Sequence, residues 1–183
     1  MWKNWVIVMI LLAPISALGA EHRLGTTPTE AYRLAKEQGG SMLFIDVRDP
    51  VEIMFTGFTD SVDQNIPLAI TDPFDFDDGQ ATFRMNFNKN FITEVDKALA
   101  KKGLNRDSLI ITMCRSGGAR GLPSAELLLK NGFSKVKFVE NGFQGDVRRE
   151  GPQRGQRTLN GWQNSGLPWS IRINPEKIYR PSR

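Results

Sequence analysis

Short, continuous apolar segments alternate along this sequence with segments of helical periodicity. Residues 42–45 (MLFI), 108–113 (SLIITM) and 136–139 are bounded by turn residues and are too short for typical helices, which favours buried strands. The helical segments 91–102 and 122–129 are each followed closely by a glycine, a common stop signal. Strands that alternate with helices predict an α/β domain whose central, mainly parallel sheet is flanked by helices.

Four further segments connect or follow these elements. Residues 65–68 predict one more short strand. Residues 71–90 are rich in aspartate and predict a polar, irregular loop; they lack the spacing and terminal glutamate of a calcium loop. Residues 146–160 are basic, contain glycine and predict a loop insertion, which we call the basic insertion. Residues 162–169, with a tryptophan at each end, predict a flap that closes on the core.

The first twenty residues have the pattern of a secretory signal peptide. A positively charged start precedes an unbroken apolar run at residues 5–13, and small residues lead to cleavage after Gly19 or Ala20. The run is short for a permanent membrane span. We therefore predict a signal peptide over residues 1–20, export to the periplasm, and a single mature domain over 21–183 without stable membrane insertion. An uncleaved anchor or a buried helix is the alternative.

The cysteine and histidine counts exclude several kinds of site. The chain has one Cys and one His, so an intramolecular disulfide and a zinc site of Cys and His ligands are both excluded. The histidine, His22, lies beside the predicted cleavage point, so a Cys–His catalytic pair is not expected. No metal or cofactor is expected. The net charge of +4 is modest and does not by itself predict nucleic-acid binding.

Cys114 stands where a predicted strand ends and a glycine-containing loop leads into a helix. Backbone N–H groups of such a loop form an anion-binding nest, which the positive end of the helix reinforces. These groups, with the two arginines of the loop, favour a thiolate and make Cys114 the candidate nucleophile; a buried, inert cysteine is the alternative. The candidate substrate-binding residues are Arg115, Ser116, Gly117, Gly118, Ala119 and Arg120.

Several motifs resemble those of rhodanese-like domains. Residues 45–49 (IDVRD) and Glu52 resemble the amino-terminal signature of that family, and residues 114–117 (CRSG) resemble its catalytic loop. The closing motifs of the domain are matched by residues 141–145 (NGFQG) and 166–168 (GLP). The resemblance covers residues 26–170.

The resemblance implies a rhodanese-like α/β fold and a two-step sulfur transfer. A small sulfur-containing anion such as thiosulfate would donate its outer sulfur to Cys114 as a persulfide, and a thiol, cyanide or a protein would accept it. Asp46, Arg48 and Glu52 would support the loop, with Asp46 accepting backbone hydrogen bonds. A weak surface ion pair between Arg48 and Glu52, four residues apart, is the alternative.

The spacing of Cys114 and Arg120 keeps a second chemistry open. This Cys-x5-Arg loop is one residue longer than in typical sulfurtransferases of the family and resembles related phosphatases and arsenate reductases. Export favours sulfur chemistry over these. A third alternative is a sulfur-carrier or binding module with little turnover, docked to an acidic partner protein by four arginines of the basic insertion; a solvated loop is the simpler interpretation. Those arginines are Arg148, Arg149, Arg154 and Arg157.

Overall fold

A computed structural model describes residues 24–180 of the chain. The predicted signal peptide and His22 lie outside the described residues, so export stays a prediction. Among the residues that the structure describes, no helix is long and apolar enough to cross a membrane.

Five strands form a parallel sheet in the order β1-β7-β6-β2-β3, and two more strands form a separate hairpin. The elements in chain order are β1 (Gly25–Thr26), α1 (Pro28–Gln38), β2 (Met42–Asp46), α2 (Pro50–Thr56), β3 (Gln64–Asn65), β4 (Ala69–Asp77), β5 (Thr82–Phe87), α3 (Phe91–Lys101), β6 (Leu109–Met113), α4 (Gly121–Lys130), β7 (Lys135–Val139) and a 3₁₀ turn (Gln163–Ser165). The predicted α/β class with a central parallel sheet is confirmed.

The central strands β2 and β6 are apolar along nearly their whole length because both faces of the sheet are covered. Helices α3 and α4 pack on one face of the sheet, against Leu43 and Ile45 of β2. Helices α1 and α2 pack on the other face with Trp162, against Met42 and Phe44. Since β2 and β6 are in register with Asp46 opposite Met113, the segments that follow both strands emerge at the same edge of the sheet.

The prediction of a polar, irregular loop over residues 71–90 is wrong. Most of this segment folds as an antiparallel hairpin of β4 and β5. On β5, Phe83 and Met85 alternate with Arg84, whose side chain pairs with Asp77 across the hairpin. This period of two is the signature of a two-stranded ribbon with one apolar and one polar face.

Two smaller predictions are also corrected. The strand predicted at 65–68 is β3 at Gln64–Asn65, and the apolar residues after it are buried without strand pairing. Trp162 does not belong to a flap: its side chain is fully buried in the core, and its indole N–H donates to the carbonyl of Pro168 over 2.9 Å. Trp169, by contrast, is partly exposed and packs edge-on against Phe143. The basic insertion has no helix or strand, as predicted.

Candidate active site

Cys114 lies at the carboxyl end of β6, directly before the loop that leads into α4. In parallel α/β sheets, this edge is where ligands bind. The position of α4 relative to β6 is fixed by buried hydroxyl groups, because the side chains of Thr112 and Ser124 both donate to the carbonyl of Gly121, over 3.2 and 2.7 Å. The start of α4 is thereby held beside the cysteine.

The sulfur of Cys114 is buried and contacts polar backbone. The N–H of Gly117 donates a hydrogen bond to Sγ over 3.2 Å. A Cβ atom at Gly121, the first residue of α4, would lie 3.5 Å from Sγ, so the sulfur borders the positive end of this ten-residue helix. Both features favour an anionic sulfur. Cys114 itself is fully buried, whereas Gly118 and Ala119 of the same loop are exposed.

Backbone hydrogen bonds connect the catalytic loop to the turn at residues 141–145. The N–H of Phe143 donates to the carbonyl of Cys114 over 2.7 Å, and the N–H of Gln144 donates to the carbonyl of Arg115 over 2.9 Å. Gly142 has φ +57°, and a Cβ atom there would overlap the carbonyl oxygen of Cys114. The turn therefore determines where the catalytic loop lies, and only glycine fits at this contact.

Arg120 and Glu52 form a two-point ion pair beside the loop. Nη1 lies 2.7 Å from Oε2, and Nη2 donates to Oε1 over 3.0 Å. Burial lowers the pKa of Arg120, but the hydrogen bond and charge of Glu52, with the charges of Cys114 and Asp46, outweigh it and raise the pKa above its ordinary value. Buried Nη1 is in ion-pair contact only and has no hydrogen-bond partner among residues 24–180. The guanidinium of Arg120 is thus held beside the loop by Glu52.

Asp46, the last residue of β2, forms a second ion pair with Arg48, and both side chains are fully buried. Asp46 accepts hydrogen bonds from the backbone N–H of Arg48 over 3.0 Å and from its Nε over 2.9 Å, so the expected backbone bond is present. The guanidinium of Arg48 also donates to Thr56 Oγ1 and to the carbonyl of Gly57, and it stacks 4.0 Å from the centre of the Phe143 ring. The alternative of a surface pair between Arg48 and Glu52 is wrong, because Arg48 is buried and Glu52 pairs with Arg120.

The remaining loop arginine, Arg115, is exposed, and its Nε donates to Gln144 Oε1 over 2.7 Å. Ser116 is partly exposed and borders an open cavity of about 720 Å³ between the loop and the basic insertion. The sequence prediction did not place Arg157 at this site. Its guanidinium donates to the carbonyl of Gly145, within the turn that holds the loop. No spacing rule joins it to Cys114, so no sequence signal for this contact existed.

Of the four arginines assigned to one docking surface, three line this cavity: Arg148, Arg149 and Arg157. Arg154 does not. Within residues 24–180, no group of three or more His, Cys, Asp or Glu side chains is arranged to hold a metal ion.

Comparisons with known proteins identify the family and the fold of this chain. The family model of the rhodanese-like domain matches residues 27–148. Among curated proteins, none matches the chain significantly. The crystal structure of Rv0390 from M. tuberculosis is 26% identical, with a TM-score of 0.56, over 80% of this chain and 96% of that one.

Two more solved structures match the chain at lower identity. RPA3614 from Rhodopseudomonas palustris, described as a possible tyrosine phosphatase, is 20% identical over 90% of this chain and all of its own, with a TM-score of 0.48. The polysulfide-sulfur transferase homodimer from Wolinella succinogenes is 22% identical over 68% of this chain and 74% of its own, with a TM-score of 0.38.

Proposed function

Because the chain belongs to the rhodanese-like domain family, we propose that it is a sulfurtransferase that carries sulfane sulfur as a persulfide on Cys114. The observation that carries this proposal is the surroundings of Sγ, which accepts a hydrogen bond from the N–H of Gly117 and borders the start of α4. Both features favour negative charge on sulfur. A thiolate and a persulfide both carry negative charge on sulfur, so the same groups around Sγ stabilise both states of the catalytic cycle.

In the first step, the thiolate of Cys114 attacks the outer sulfur of thiosulfate. A new bond forms between Sγ and that sulfur, the sulfur–sulfur bond of thiosulfate breaks, and its electron pair leaves with sulfite. The N–H of Gly117 and the guanidinium of Arg120 stabilise the charge during this exchange. In the second step, a nucleophilic acceptor attacks the outer sulfur of the persulfide, and the electron pair of the broken bond returns to Sγ.

The release of sulfite from thiosulfate needs no general acid, and the contacts of the carboxylates around the loop agree with a reaction of this kind. Asp46 is bonded to Arg48, and Glu52 is bonded to Arg120. Asp146 accepts hydrogen bonds from the side-chain amides of Asn141 and Asn160. Asp46 and Glu52 are therefore engaged by arginines, which disfavours a general-acid role for either of them toward a substrate at the loop.

Persulfide formation is measured directly by mass. The reduced mature protein is incubated with thiosulfate, and we expect a gain of about 32 Da, the mass of one sulfur atom, together with release of sulfite. Cys114→Ser is the matched control and gains nothing. Turnover is then followed with cyanide as acceptor. No adduct and no thiocyanate from protein with reduced Cys114 would overturn the proposal, and an adduct without turnover would assign a sulfur carrier instead.

A phosphatase or arsenate reductase is the second candidate, and one observation favours it. The Cys114–Arg120 spacing places the guanidinium of Arg120 beside the loop, with Nη1 buried and in contact with Glu52 only as an ion pair. A guanidinium in this position suits the bidentate binding of a tetrahedral oxyanion. Hydrolysis of an aryl phosphate and reduction of arsenate are assayed for wild type and Arg120→Ala. Turnover that depends on both Cys114 and Arg120 would establish this candidate; equal background rates would remove it.

A further inference from the structure

The basic insertion forms one wall of the cavity beside the catalytic loop, and hydrogen bonds within the insertion hold it in place. Its two ends are joined, because the N–H of Arg148 donates to the carbonyl of Gln156 over 2.8 Å and the N–H of Gly155 donates back to the carbonyl of Arg148 over 2.9 Å. The Nε of Arg148 donates to Thr158 Oγ1 over 2.6 Å. The family match ends at residue 148, so nearly all of this wall lies beyond the shared part of the domain.

The cavity between this wall and the loop is much larger than a thiosulfate ion requires. Its volume of about 720 Å³ falls within the range of sites for molecules of peptide or drug size, roughly 300–1,000 Å³. Ser116, two residues after Cys114, forms part of its boundary with the loop, and Val147 and Leu159 provide apolar surface. A molecule in this cavity therefore lies next to the loop that carries the sulfur.

The polar lining of the cavity favours anions. Three guanidinium groups line it, against the two carboxylates of Asp146 and Glu150. Oδ2 of Asp146 accepts hydrogen bonds from two side-chain amides. Among the described residues, no carboxylate lies within 4.0 Å of any of the three arginines. Partly buried cations without a carboxylate partner attract an anionic ligand.

The connection from the cavity to Cys114 runs through the backbone. The guanidinium of Arg157 donates to the carbonyl of Gly145, and the N–H of Gly145 donates over 3.3 Å to the carbonyl of Arg115, the residue after Cys114. Burial and the positive charge of Arg115 lower the pKa of Arg157 from its ordinary value, and the nearby negative charges, that of Asp146 first, offset part of this effect. A ligand held by Arg157 is therefore linked through two hydrogen bonds to the residue that follows Cys114.

We propose that this cavity binds the sulfur acceptor, and that the acceptor is a small thiol of peptide size that carries carboxylate groups. This inference rests on the proposed function. Arg148, Arg149 and Arg157 hold the carboxylates, while the thiol extends past Ser116 to the persulfide. The acceptor thiolate attacks the outer sulfur, the bond between that sulfur and Sγ breaks, and its electron pair leaves Cys114 as a thiolate while the acceptor departs as a persulfide.

The concave placement of the arginines favours a small molecule over an acidic protein. Three of the four arginines of the basic insertion line one cavity, and Arg148 and Arg157 are partly buried in it. A protein-docking surface would leave all four side chains exposed, whereas only Arg149 and Arg154 are exposed here.

The test compares glutathione, a tripeptide thiol with two carboxylates, with cyanide as acceptors of sulfur from thiosulfate. Arg149→Gln is the variant, because the guanidinium of Arg149 lines the cavity and makes no hydrogen bond to a described residue. Arg154→Gln is the matched control from the same insertion. We expect the KM for glutathione to rise about tenfold in Arg149→Gln only, with the cyanide reaction unchanged in both variants.

A binding measurement separates this proposal from the proposed function. S-methylglutathione cannot accept sulfur, and its affinity is measured by calorimetry for wild type, Arg149→Gln and Arg154→Gln. Weaker binding in Arg149→Gln alone supports the subsite. Normal cyanide turnover with no binding of S-methylglutathione overturns the subsite but leaves the sulfurtransferase standing, whereas absent cyanide turnover overturns the sulfurtransferase itself. Equal losses in the two variants, or charge-dependent transfer to acidic protein thiols only, would assign the arginines to a protein partner.

Discussion

Glu52, in the first turn of α2, holds the guanidinium of Arg120, the last residue before α4, through two contacts of 2.7 and 3.0 Å. The two residues are 68 positions apart, and they meet because α2 and the catalytic loop follow adjacent strands of the sheet. Both side chains are largely buried. The pair thus fixes the position of Arg120 beside the catalytic loop, and substitutions at Glu52 test this role.

Replacing Glu52 with Gln removes the negative charge of this ion pair and leaves the side chain at position 52 almost the same size. We expect a loss of about 1–3 kcal/mol in the free energy of unfolding, because Arg120 keeps its charge in a largely buried position. We also expect a fall of about tenfold or more in the rate of persulfide formation, since Arg120 is no longer held in place. Urea unfolding and the sulfite-release rate measure the two effects. Wild-type values for both would contradict a positioning role.

The pH dependence of this pair follows from the raised pKa of Arg120. A cation whose pKa is raised by folding contributes stability that is fully present below its ordinary pKa and is lost only as the pH rises through the folded value. We therefore expect the difference in unfolding free energy between wild type and Glu52→Gln to be constant from about pH 6 to about pH 9. A difference that declines across this interval would show that Arg120 loses its charge there.

The buried pair of Asp46 and Arg48 predicts a larger effect on stability. Arg48→Met leaves the Asp46 carboxylate buried without its partner, and we expect a loss of about 3–5 kcal/mol. The double variant Asp46→Leu with Arg48→Met should lose less than the sum of the single variants, because no unpaired charge remains. Arg84→Gln, which removes the two ion pairs of an exposed arginine on the hairpin, is the control and should cost under about 1 kcal/mol. Additive losses at Asp46 and Arg48 would contradict this account.

The central sheet could be predicted from the sequence because strands that are covered on both faces leave a clear apolar pattern. Strands β2 and β6 must be apolar at nearly every position, so each is an unbroken apolar segment with turn residues at its ends. The hairpin was missed for the opposite reason. Its aspartates and Pro73 dominate the composition of residues 71–90, and they conceal the alternation of Phe83, Met85 and Phe87 with polar residues.

In the candidate site, too, features that depend on local sequence could be predicted, and features that depend on long-range contacts could not. The loop from Cys114 to Arg120 is continuous in sequence, so its glycines and arginines could be identified together. The partner of Glu52 could not, because helical spacing favoured Arg48 and the true partner depends on which strands are adjacent. Arg157 reaches the site through a segment without periodicity, where only the folded path of the chain brings it to Gly145.

The two tryptophans of residues 162–169 should differ sharply in their contribution to stability. Trp162 is fully buried between Tyr32 and Phe44, and Trp162→Ala should cost about 3–5 kcal/mol. Trp169 is 43% exposed and makes one edge-on contact with Phe143, so Trp169→Ala should cost about 0.5–1.5 kcal/mol. Chemical unfolding of both variants makes the comparison. Similar losses would mean that the pair acts as one unit, as the flap prediction assumed.

Gly142 offers the sharpest test of how the catalytic loop is held. A Cβ atom at this position would overlap the carbonyl of Cys114, and the φ of +57° is also unfavourable for alanine. Gly155→Ala is the matched control: Gly155 has φ +88°, but a Cβ atom there would meet nothing within 4 Å, so only backbone strain of about 1–3 kcal/mol applies. We expect Gly142→Ala to lose more stability than this control. We also expect it to slow persulfide formation at least about tenfold, since the overlap displaces Cys114 itself. Equal losses and equal rates in the two variants would mean that the turn at 141–145 does not position the nucleophile.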